Sequence, residues 1–397
     1  MNAIITPNAL RGSIKPPPSK SYAHRALIAA ALSKGTSKIN NIAMSDDIKA
    51  TINCLTAIGA EIVVNTDSAT VNGIKNIPQN ALLDSNESGS TLRFMIPICA
   101  SLGINARFIG SAKLPSRPID TYKRELAKHG ITFSFETDLS LPLEISGKLT
   151  SGEYFIEGDI SSQYITGLLF ALPLLDGNST ISITSELQSR GYVDITLDVL
   201  EKFGVNINPN SDKYIVSPTE FTPTEYTVEN DWSQAAFWYA AQNLTVEGMN
   251  EQSLQSDRIG TDFLRSGMYE RIDVSQIPDL VPILAVKAAV GNNEVTFCNA
   301  KRLAIKESNR LKSTAEMINA LGGDADYNSD SLTVRGTGKL RGGTVKRYDD
   351  HRIVMSAAIA ATYAENEVVI NNAEAVNKSY PNFWDEYKRL GGKVNFN

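Results

Sequence analysis

Residues 58–62, Ile-Gly-Ala-Glu-Ile, join the end of a helical apolar pattern to a short alternating strand through a single glycine. Glycine readily takes the left-handed backbone conformation with which many helices end. Similar junctions follow at residues 129–133, 203–207, 266–267 (a weaker copy), 321–323 and 390–394. The six junctions lie about 55 to 75 residues apart, and a period of that length indicates an internal structural repeat.

Each repeat also contains an alanine-rich or leucine-rich helical pattern, which precedes a turn and a β-rich run. Examples are residues 25–32 before 36–42, 165–175 before 179–184, 280–290 before 294–299 and 352–364 before 367–371. Two helices and about four strands per repeat, with one face of each sheet covered, predict an α+β fold. The alternative is that these junctions, which are common singly, recur without true repetition.

Six repeats divide naturally into two domains of three. The boundary is expected near residues 225–231, where the Thr-Pro-Thr segment 222–224 has just ended. A second proline-rich segment, residues 15–20, can be neither regular helix nor central strand. It is expected to be a stiff crossover between the two domains, and binding sites commonly lie between domains.

The composition excludes several classes of protein. A formal net charge of −6 argues against nucleic acid or an acidic membrane as the main partner, so an anion site must be a local basic pocket. The three cysteines are far apart, which suggests neither a disulfide framework nor a metal site. The N-terminus lacks a signal-peptide pattern, and no apolar run approaches about 18 residues. We expect a cytoplasmic protein.

The most highly charged helix start lies within residues 300–312, Ala-Lys-Arg-Leu-Ala-Ile-Lys-Glu-Ser-Asn-Arg-Leu-Lys. A helix is expected to begin near Glu307 or Ser308, with Lys306 and Arg310 one turn apart on one face. Free backbone N–H groups at such a start would add to a cradle for a small polyanion. The alternative is a solvated helix start with ordinary ion pairs.

Polar residues of the same kind recur at the starts of other apolar patterns. They are Lys20, Ser21 and Arg25, the segment 86–93 with Gly89, Arg117, Ser161, Ser162 and Gln163, Ser189 and Tyr192, Asp279, the segment 349–352, and Lys378. Capping alone would explain any one serine, and Asp279 is as well explained by an N-cap as by catalysis. His24 is expected on the helix surface. Basic groups at matching positions in several repeats favour one shared anion site.

Taken in order from Pro16 to Pro381, these segments resemble the 5-enolpyruvylshikimate-3-phosphate synthase family. The resemblance implies two domains, each made of three βαβαββ repeats, in the inside-out α/β barrel of the enolpyruvyl transferase fold. One domain would comprise residues 18–228 and the other residues 1–17 plus 229–397. The active site would lie in the cleft between them.

The resemblance also implies a reaction. Members transfer the enolpyruvyl group of phosphoenolpyruvate to the 5-hydroxyl of shikimate 3-phosphate and release phosphate, without a metal or organic cofactor. The implied catalytic residues are Asp279, Glu307 and Lys20, with the division of proton transfer left open. The implied shikimate 3-phosphate contacts are Lys20, Ser21, Arg25, Ser161, Ser162, Ser189, Tyr192, Asp279 and Lys306. Those to phosphoenolpyruvate are Lys20, Gly89, Arg117, Gln163, Arg310, Arg352 and Lys378.

Two positions depart from the family pattern. Glu87, preceded by Asn86, stands where many members have asparagine, and Arg302 stands where some have asparagine. A carboxylate beside a phosphoenolpyruvate site requires an arginine partner or an outward orientation. Gly89 is expected to leave room for the inhibitor glyphosate.

Three alternatives belong to other groups of proteins. UDP-N-acetylglucosamine enolpyruvyl transferases share the fold, but they carry a loop cysteine or aspartate near residues 113–116, and segment 102–130 here has no cysteine. A catalytically silent anion-binding protein would not need both Asp279 and Glu307. RNA 3′-phosphate cyclases use related repeats, and the acidic balance disfavours RNA. We expect a monomer with two small-molecule substrates.

Overall fold

The computed structural model describes residues 1–210 and 212–397, which form two compact units. The N-terminal unit is Pro18–Glu229. The C-terminal unit combines Met1–Pro17 with Asn230–Asn397. The chain therefore passes from one unit to the other within the proline-rich segment and again at residues 229–230.

In the described residues there are twelve α-helices: α1 (Lys20–Leu32), α2 (Asp46–Ala57), α3 (Gly89–Leu102), α4 (Asp120–Leu126), α5 (Ser162–Ala171), α6 (Arg190–Lys202), α7 (Trp232–Ala240), α8 (Asp257–Ser266), α9 (Val281–Ala289), α10 (Arg310–Ala320), α11 (His351–Ala360) and α12 (Phe383–Arg389). Short 3₁₀ helices span Leu114–Ser116, Ala127–His129, Leu172–Leu174, Pro278–Leu280, Lys301–Ile305, Ala361–Tyr363 and Ala373–Lys378.

The strands are β1 (Asn2–Thr6), β2 (Gly12–Ile14), β3 (Thr36–Asn40), β4 (Glu61–Val64), β5 (Ser68–Asn72), β6 (Asn80–Asp84), β7 (Asn105–Ile109), β8 (Ile131–Phe135), β9 (Leu143–Gly147), β10 (Glu153–Ile156), β11 (Ser179–Ile183), β12 (Pro209–Asn210), β13 (Lys213–Val216), β14 (Glu225–Thr227), β15 (Leu244–Val246), β16 (Arg271–Asp273), β17 (Glu294–Cys298), β18 (Asp324–Tyr327), β19 (Leu332–Arg335), β20 (Gly343–Val345), β21 (Val368–Asn371) and β22 (Lys393–Phe396).

The sheets confirm the predicted repeat. The order β6-β7-β9-β8 recurs as β10-β11-β13-β12 and β16-β17-β19-β18, with the first pair parallel and the others antiparallel. In chain order each such repeat reads βαβαββ, for example β6-α3-β7-α4-β8-β9. Each of these three repeats builds its own four-stranded sheet.

Two further four-stranded sheets are completed by strands distant in sequence. β14 pairs with β3 in the order β14-β3-β5-β4, and β1 joins the last repeat in the order β20-β21-β1-β22. The remaining described sheet has only two strands, with β15 parallel to β2. This short repeat contains the weak junction at residues 266–267.

All six junction glycines have positive φ angles, between +82° and +106°. An L-residue with a side chain is strained at such angles, so glycine ends the helix or turn at each junction. Five strands begin within four residues of the glycine, as predicted. The strand expected at residues 205–207 is displaced and begins at Pro209.

The first helix of each repeat forms the core. α1, α3, α5, α7, α9 and α11 are buried on nearly all sides, whereas the second helices keep an exposed face. Helices that are apolar all round must be enclosed, so the sheets lie outside them. The expectation of a surface position for His24 was wrong: it lies on α1 and is 1% exposed. None of the helices in residues 1–210 and 212–397 is long and apolar enough to span a membrane.

Candidate active site

The C-terminal unit contains a carboxylate surrounded by three basic side chains. Asp279 lies in the 3₁₀ helix Pro278–Leu280, immediately before α9. Its Oδ1 accepts hydrogen bonds from Nη1 of Arg310 at 2.7 Å and Nζ of Lys306 at 3.3 Å. Its Oδ2 accepts from Nη2 of Arg352 at 3.0 Å. The N-cap alternative for Asp279 was wrong, because α9 has no side-chain cap.

Arg310 lies at the centre of a larger group of charged side chains. We call this group the Asp279 cluster; it consists of Asp279, Lys306, Glu307, Arg310, Asp350 and Arg352. Its Nε and Nη2 donate to the two carboxylate oxygens of Asp350 at 2.8 and 3.2 Å. Nη2 also donates to Oε2 of Glu307 at 2.7 Å. Four of its five N–H groups are therefore engaged by carboxylates, and one on Nη1 remains.

Asp350 connects Arg310 to α11. It is the N-cap of that helix, and its Oδ1 accepts from the backbone N of Arg352 at 3.0 Å. Its Oδ2 accepts from Oγ of Ser308 at 2.9 Å. Because Asp350 is completely buried, Arg310 and the start of α11 are fixed relative to each other.

The helix after Lys306 begins later than predicted. α10 starts at Arg310, and its N-cap is Asn309, whose Oδ1 accepts from the backbone N of Lys312. Lys306 has extended backbone angles and Glu307 precedes the cap, so the expected start at Glu307 or Ser308 was wrong. Lys306 and Arg310 are brought together by Asp279 rather than by one helical turn.

The exposed fractions decide which groups a ligand can reach. The side chains of Asp279, Lys306 and Glu307 are 17, 21 and 15% exposed, whereas that of Arg310 is 1% exposed. The first three are therefore the most accessible members of the cluster. Arg310 is nearly enclosed: it holds Asp279 and Glu307 in place and keeps one N–H on Nη1 beyond these bonds.

Burial and neighbouring charges shift the pKa values of the side chains in this cluster in different directions. Burial alone would raise the pKa of Asp279, but Arg352, Lys306 and Arg310 outweigh it and hold the pKa well below its usual value. Burial lowers the pKa of Lys306 to about 8, against the opposing attraction of Asp279. The pKa of Arg310 is raised, because the attraction of Asp350, Glu307 and Asp279 exceeds the effect of burial. Asp279 is thus an ionised carboxylate at neutral pH.

A further buried carboxylate lies close to this cluster. Asp257, the first residue of α8, accepts a hydrogen bond from Oγ of Ser233. Burial, reinforced by the negative charge of Asp279, raises the pKa of Asp257 to about 7. The pKa values of Asp257 and Asp279 are therefore shifted in opposite directions, although both side chains are aspartates.

Lys378 lies on a neighbouring element. It ends the 3₁₀ helix Ala373–Lys378, which packs against α11, and it is 8% exposed. The structure places it beside the helix that carries Arg352.

In the N-terminal unit, serine residues cap the starts of the core helices. Ser19 caps α1, Ser88 caps α3 and Ser161 caps α5, each through its Oγ. Ser189 precedes α6 in a left-handed conformation, with φ of 55°. Ser162 follows the α5 cap and is buried.

Two basic residues of α1 have protein partners. Nζ of Lys20 donates to Oδ2 of Asp47 on α2 at 2.6 Å. Arg25 donates to Oγ1 of Thr196, the carbonyl of Ser21 and the carbonyl of Tyr192 at 2.8, 2.7 and 2.9 Å. Burial lowers the pKa of Arg25 to about 10. Arg25 thus ties α1 to α6 while remaining charged.

Arg93 lies among three of the predicted site residues, which are Gly89, Gln163 and Arg117. Nη1 of Arg93 donates to Oε1 of Gln163 at 2.9 Å, and Nη2 donates to the carbonyl of Pro118 at 2.9 Å. A Cβ added to Gly89 would lie 2.6 Å from Nη1 of Arg117 and 2.8 Å from Nη1 of Arg93. The starts of α3 and α5 and the loop with Arg117 therefore meet at Gly89.

Four of these residues were not predicted as site residues from the sequence. They are Asp47, Arg93, Asp257 and Asp350. Arg93 and Asp350 stood inside quoted motifs, and an aspartate directly before a helix is a recognisable N-cap signal. Asp47 and Asp257 lie in first turns of amphipathic helices, where acidic residues are ordinary. Across the described chain, no three His, Cys, Asp or Glu side chains are grouped so as to hold a metal ion.

Comparison with known proteins gives a consistent result. The family model for EPSP synthase (3-phosphoshikimate 1-carboxyvinyltransferase) matches residues 4–387. A 3-phosphoshikimate 1-carboxyvinyltransferase of Clostridium perfringens (strain 13 / Type A) is 43% identical, over 98% of both chains. One from Clostridium novyi (strain NT) is 42% identical, over 99% of this chain and 98% of that one. A solved EPSP synthase from Acinetobacter baumannii has a TM-score of 0.82 at 21% identity, over 100% of both chains, which shows the same fold.

Proposed function

This chain belongs to the EPSP synthase family, and on that premise we propose that it transfers the enolpyruvyl group of phosphoenolpyruvate to the 5-hydroxyl of shikimate 3-phosphate. Phosphate is the second product. The observation that carries the proposal is the Asp279 cluster, in which an ionised carboxylate and a second carboxylate, Glu307, are held by one buried arginine. A general base and a carbon acid placed together are what addition to an enol phosphate requires.

The first step of the proposed reaction is addition. Asp279 accepts the proton of the 5-hydroxyl as the oxygen attacks C2 of phosphoenolpyruvate, and Glu307 donates a proton to C3. The Glu307 carboxylate then takes a proton back from C3 of the tetrahedral adduct as phosphate leaves with the proton held by Asp279, which restores the double bond in the product.

Basic residues of the C-terminal unit stabilise the charges that this reaction creates. Lys306 is proposed to bind the shikimate 3-phosphate. Arg352 and the remaining N–H of Arg310 are proposed to bind the carboxylate of phosphoenolpyruvate, since a planar donor suits a planar acceptor. Lys378 is proposed to bind the phosphate that leaves.

The N-terminal unit is proposed to supply the other contacts. The starts of these helices suit phosphate oxygens, because the first backbone N–H groups of a helix have no carbonyl partner within the helix. The shikimate 3-phosphate contacts would be Ser21, Arg25, Ser161, Ser162, Ser189 and Tyr192. Lys20, Gly89, Arg117 and Gln163 would line the phosphoenolpyruvate subsite. Lys20 would also assist proton transfer.

We expect the enzyme to work in the cytoplasm as a monomer. The three cysteines, Cys54, Cys99 and Cys298, are free and buried, which suits a reducing compartment. Size-exclusion chromatography with light scattering would test the oligomeric state.

Phosphate release from phosphoenolpyruvate tests the proposed function. The purified protein should release phosphate with shikimate 3-phosphate as acceptor and none with UDP-N-acetylglucosamine. Release only with the nucleotide sugar would assign the chain to the other enolpyruvyl transferase activity. Binding of both anions without any release would favour a silent binding protein.

A further inference from the structure

A chain of buried hydrogen bonds crosses three helices of the N-terminal unit. Nδ1 of His24 on α1 lies 2.7 Å from Oγ1 of Thr51 on α2, which lies 2.7 Å from Oγ1 of Thr91 on α3. Oγ1 of Thr91 in turn donates to Oγ of Ser88 at 2.8 Å. His24 is 1% exposed, and the other three residues are completely buried. These hydrogen bonds are therefore shielded from solvent, and the last residue in the series is Ser88, the N-cap of α3.

The direction of these bonds follows from their last member. Because the Thr91 hydroxyl donates to Ser88, it must accept from Thr51, and Thr51 must accept from Nδ1–H of His24. Burial lowers the pKa of His24 to about 3, so the ring is neutral and Nε2 carries no proton. Among the described residues Nε2 is buried without a hydrogen-bond partner, and the ring packs edge-on against Phe94 at 6.4 Å.

Hydrogen bonds are directional, so this chain fixes more than the distance between helices. Ser88 accepts from both the hydroxyl and the backbone N of Thr91, which sets the geometry of the first turn of α3. Gly89 follows directly, and its carbonyl accepts from Nη1 of Arg93 at 3.5 Å. A rotation of α3 would move Gly89 relative to Arg117, which is already within contact distance of a Cβ at that position.

We propose that Thr51 and His24 are positioning residues for the phosphoenolpyruvate subsite and act on it through Thr91, Ser88 and the first turn of α3. The proposal rests on the proposed function, because it assumes that phosphoenolpyruvate binds at Gly89. Apolar side chains of similar shape would fill the same space without burying four polar groups. Unlike apolar packing, the series of hydrogen bonds allows α3 only one rotational position relative to α1 and α2.

The test compares two substitutions at one buried position. Thr51→Val keeps the shape and removes the hydroxyl, whereas Thr51→Ser keeps the hydroxyl. Thr51→Val removes both hydrogen bonds of this hydroxyl, and we expect it to raise KM for phosphoenolpyruvate about tenfold and to leave KM for shikimate 3-phosphate within about twofold. Thr51→Ser should restore KM for phosphoenolpyruvate. Thr56→Val, on the exposed side of the same helix, is the matched control and should change neither constant.

A second measurement examines the hydrogen bonds directly. The chain has three histidines, so the ring nitrogens of His24 can be assigned by ¹⁵N NMR with a His24→Asn variant as reference. We expect the Nδ1–H tautomer, with a slowly exchanging ring proton that is lost in Thr51→Val. An Nε2–H tautomer in the wild type would overturn the proposal, whatever the activity.

The remaining outcomes separate the proposal from a purely structural effect. An unchanged KM for phosphoenolpyruvate in Thr51→Val, or an equal rise in Thr51→Ser, would overturn it. If the wild type binds phosphoenolpyruvate in a calorimetric titration but shows no turnover, only the proposed function fails. The affinities of wild type and Thr51→Val for phosphoenolpyruvate, measured by the same titration, would then decide the positioning role.

Discussion

Replacement of Asp350 by asparagine is expected to destabilise the C-terminal unit strongly. The carboxylate accepts two hydrogen bonds from Arg310, one from Ser308 and one from the backbone N of Arg352, and it is completely buried. Asparagine has nearly the same shape, but its amide NH₂ would face donors at one of the two oxygen positions. Breaking a buried ion pair from one side costs about 3–5 kcal/mol, because the remaining charge stays buried without its partner.

Tryptophan fluorescence during urea unfolding is a selective assay for this effect. All three tryptophans, Trp232, Trp238 and Trp384, belong to the C-terminal unit and are buried. With urea m-values of about 1–3 kcal/mol/M, the midpoint of the Asp350→Asn transition should fall by about 1–5 M.

The adjacent residue provides the control for this measurement. Asp349 is 43% exposed and pairs with Arg347 at the surface, so Asp349→Asn should cost no more than about 1 kcal/mol. A midpoint for Asp350→Asn equal to that of Asp349→Asn would refute the view that Asp350 holds Arg310 and α11 together.

Three further substitutions test individual roles. Glu307→Gln should leave both substrate affinities within about threefold and lower kcat by at least about 100-fold, and near-normal turnover would eliminate Glu307 as the carbon acid. Gly89→Ala places a methyl group 2.6 Å from Nη1 of Arg117, so it should raise the inhibition constant of glyphosate far more than it changes turnover. Equal sensitivity of the two forms would refute this. Because the pKa of Lys306 is lowered to about 8, its positive charge is lost as the pH rises through that value, and affinity for shikimate 3-phosphate should fall there. Lys306→Arg stays charged and should abolish this decline; a decline that persists would assign it to another group.

The fold was largely predictable from local signals in the sequence. Each junction glycine marks a backbone angle that other residues rarely adopt, so Gly59 and its counterparts reveal the repeat without any long-range information. Local signals did not predict that β1 lies in the last sheet or that β14 lies in the first. Pairing between strands more than 180 residues apart leaves no mark on the local pattern, and the family resemblance implied only that residues 1–17 belong with the C-terminal domain.

The sequence grouped the residues that the structure brings together in the Asp279 cluster, but it did not indicate how they are bonded. The pattern put Lys306, Glu307 and Arg310 side by side, and their roles stay a prediction, yet it placed the helix start too early because Asn309 was not recognised as the cap. The burial of His24 was missed because α1 is enclosed on all sides and therefore has no polar face to identify. The contacts of Asp350 join segments 40 residues apart, which only tertiary packing brings together.

The most direct test of the proposed mechanism is the reaction in D₂O, followed by ¹H NMR. Protonation of C3 and later loss of a proton from the same carbon should place deuterium in the vinyl methylene of 5-enolpyruvylshikimate 3-phosphate. The deuterated enol ether should form together with one equivalent of phosphate. An enol ether free of deuterium, or consumption of phosphoenolpyruvate without any enol ether, would contradict the addition and elimination assigned to Asp279 and Glu307.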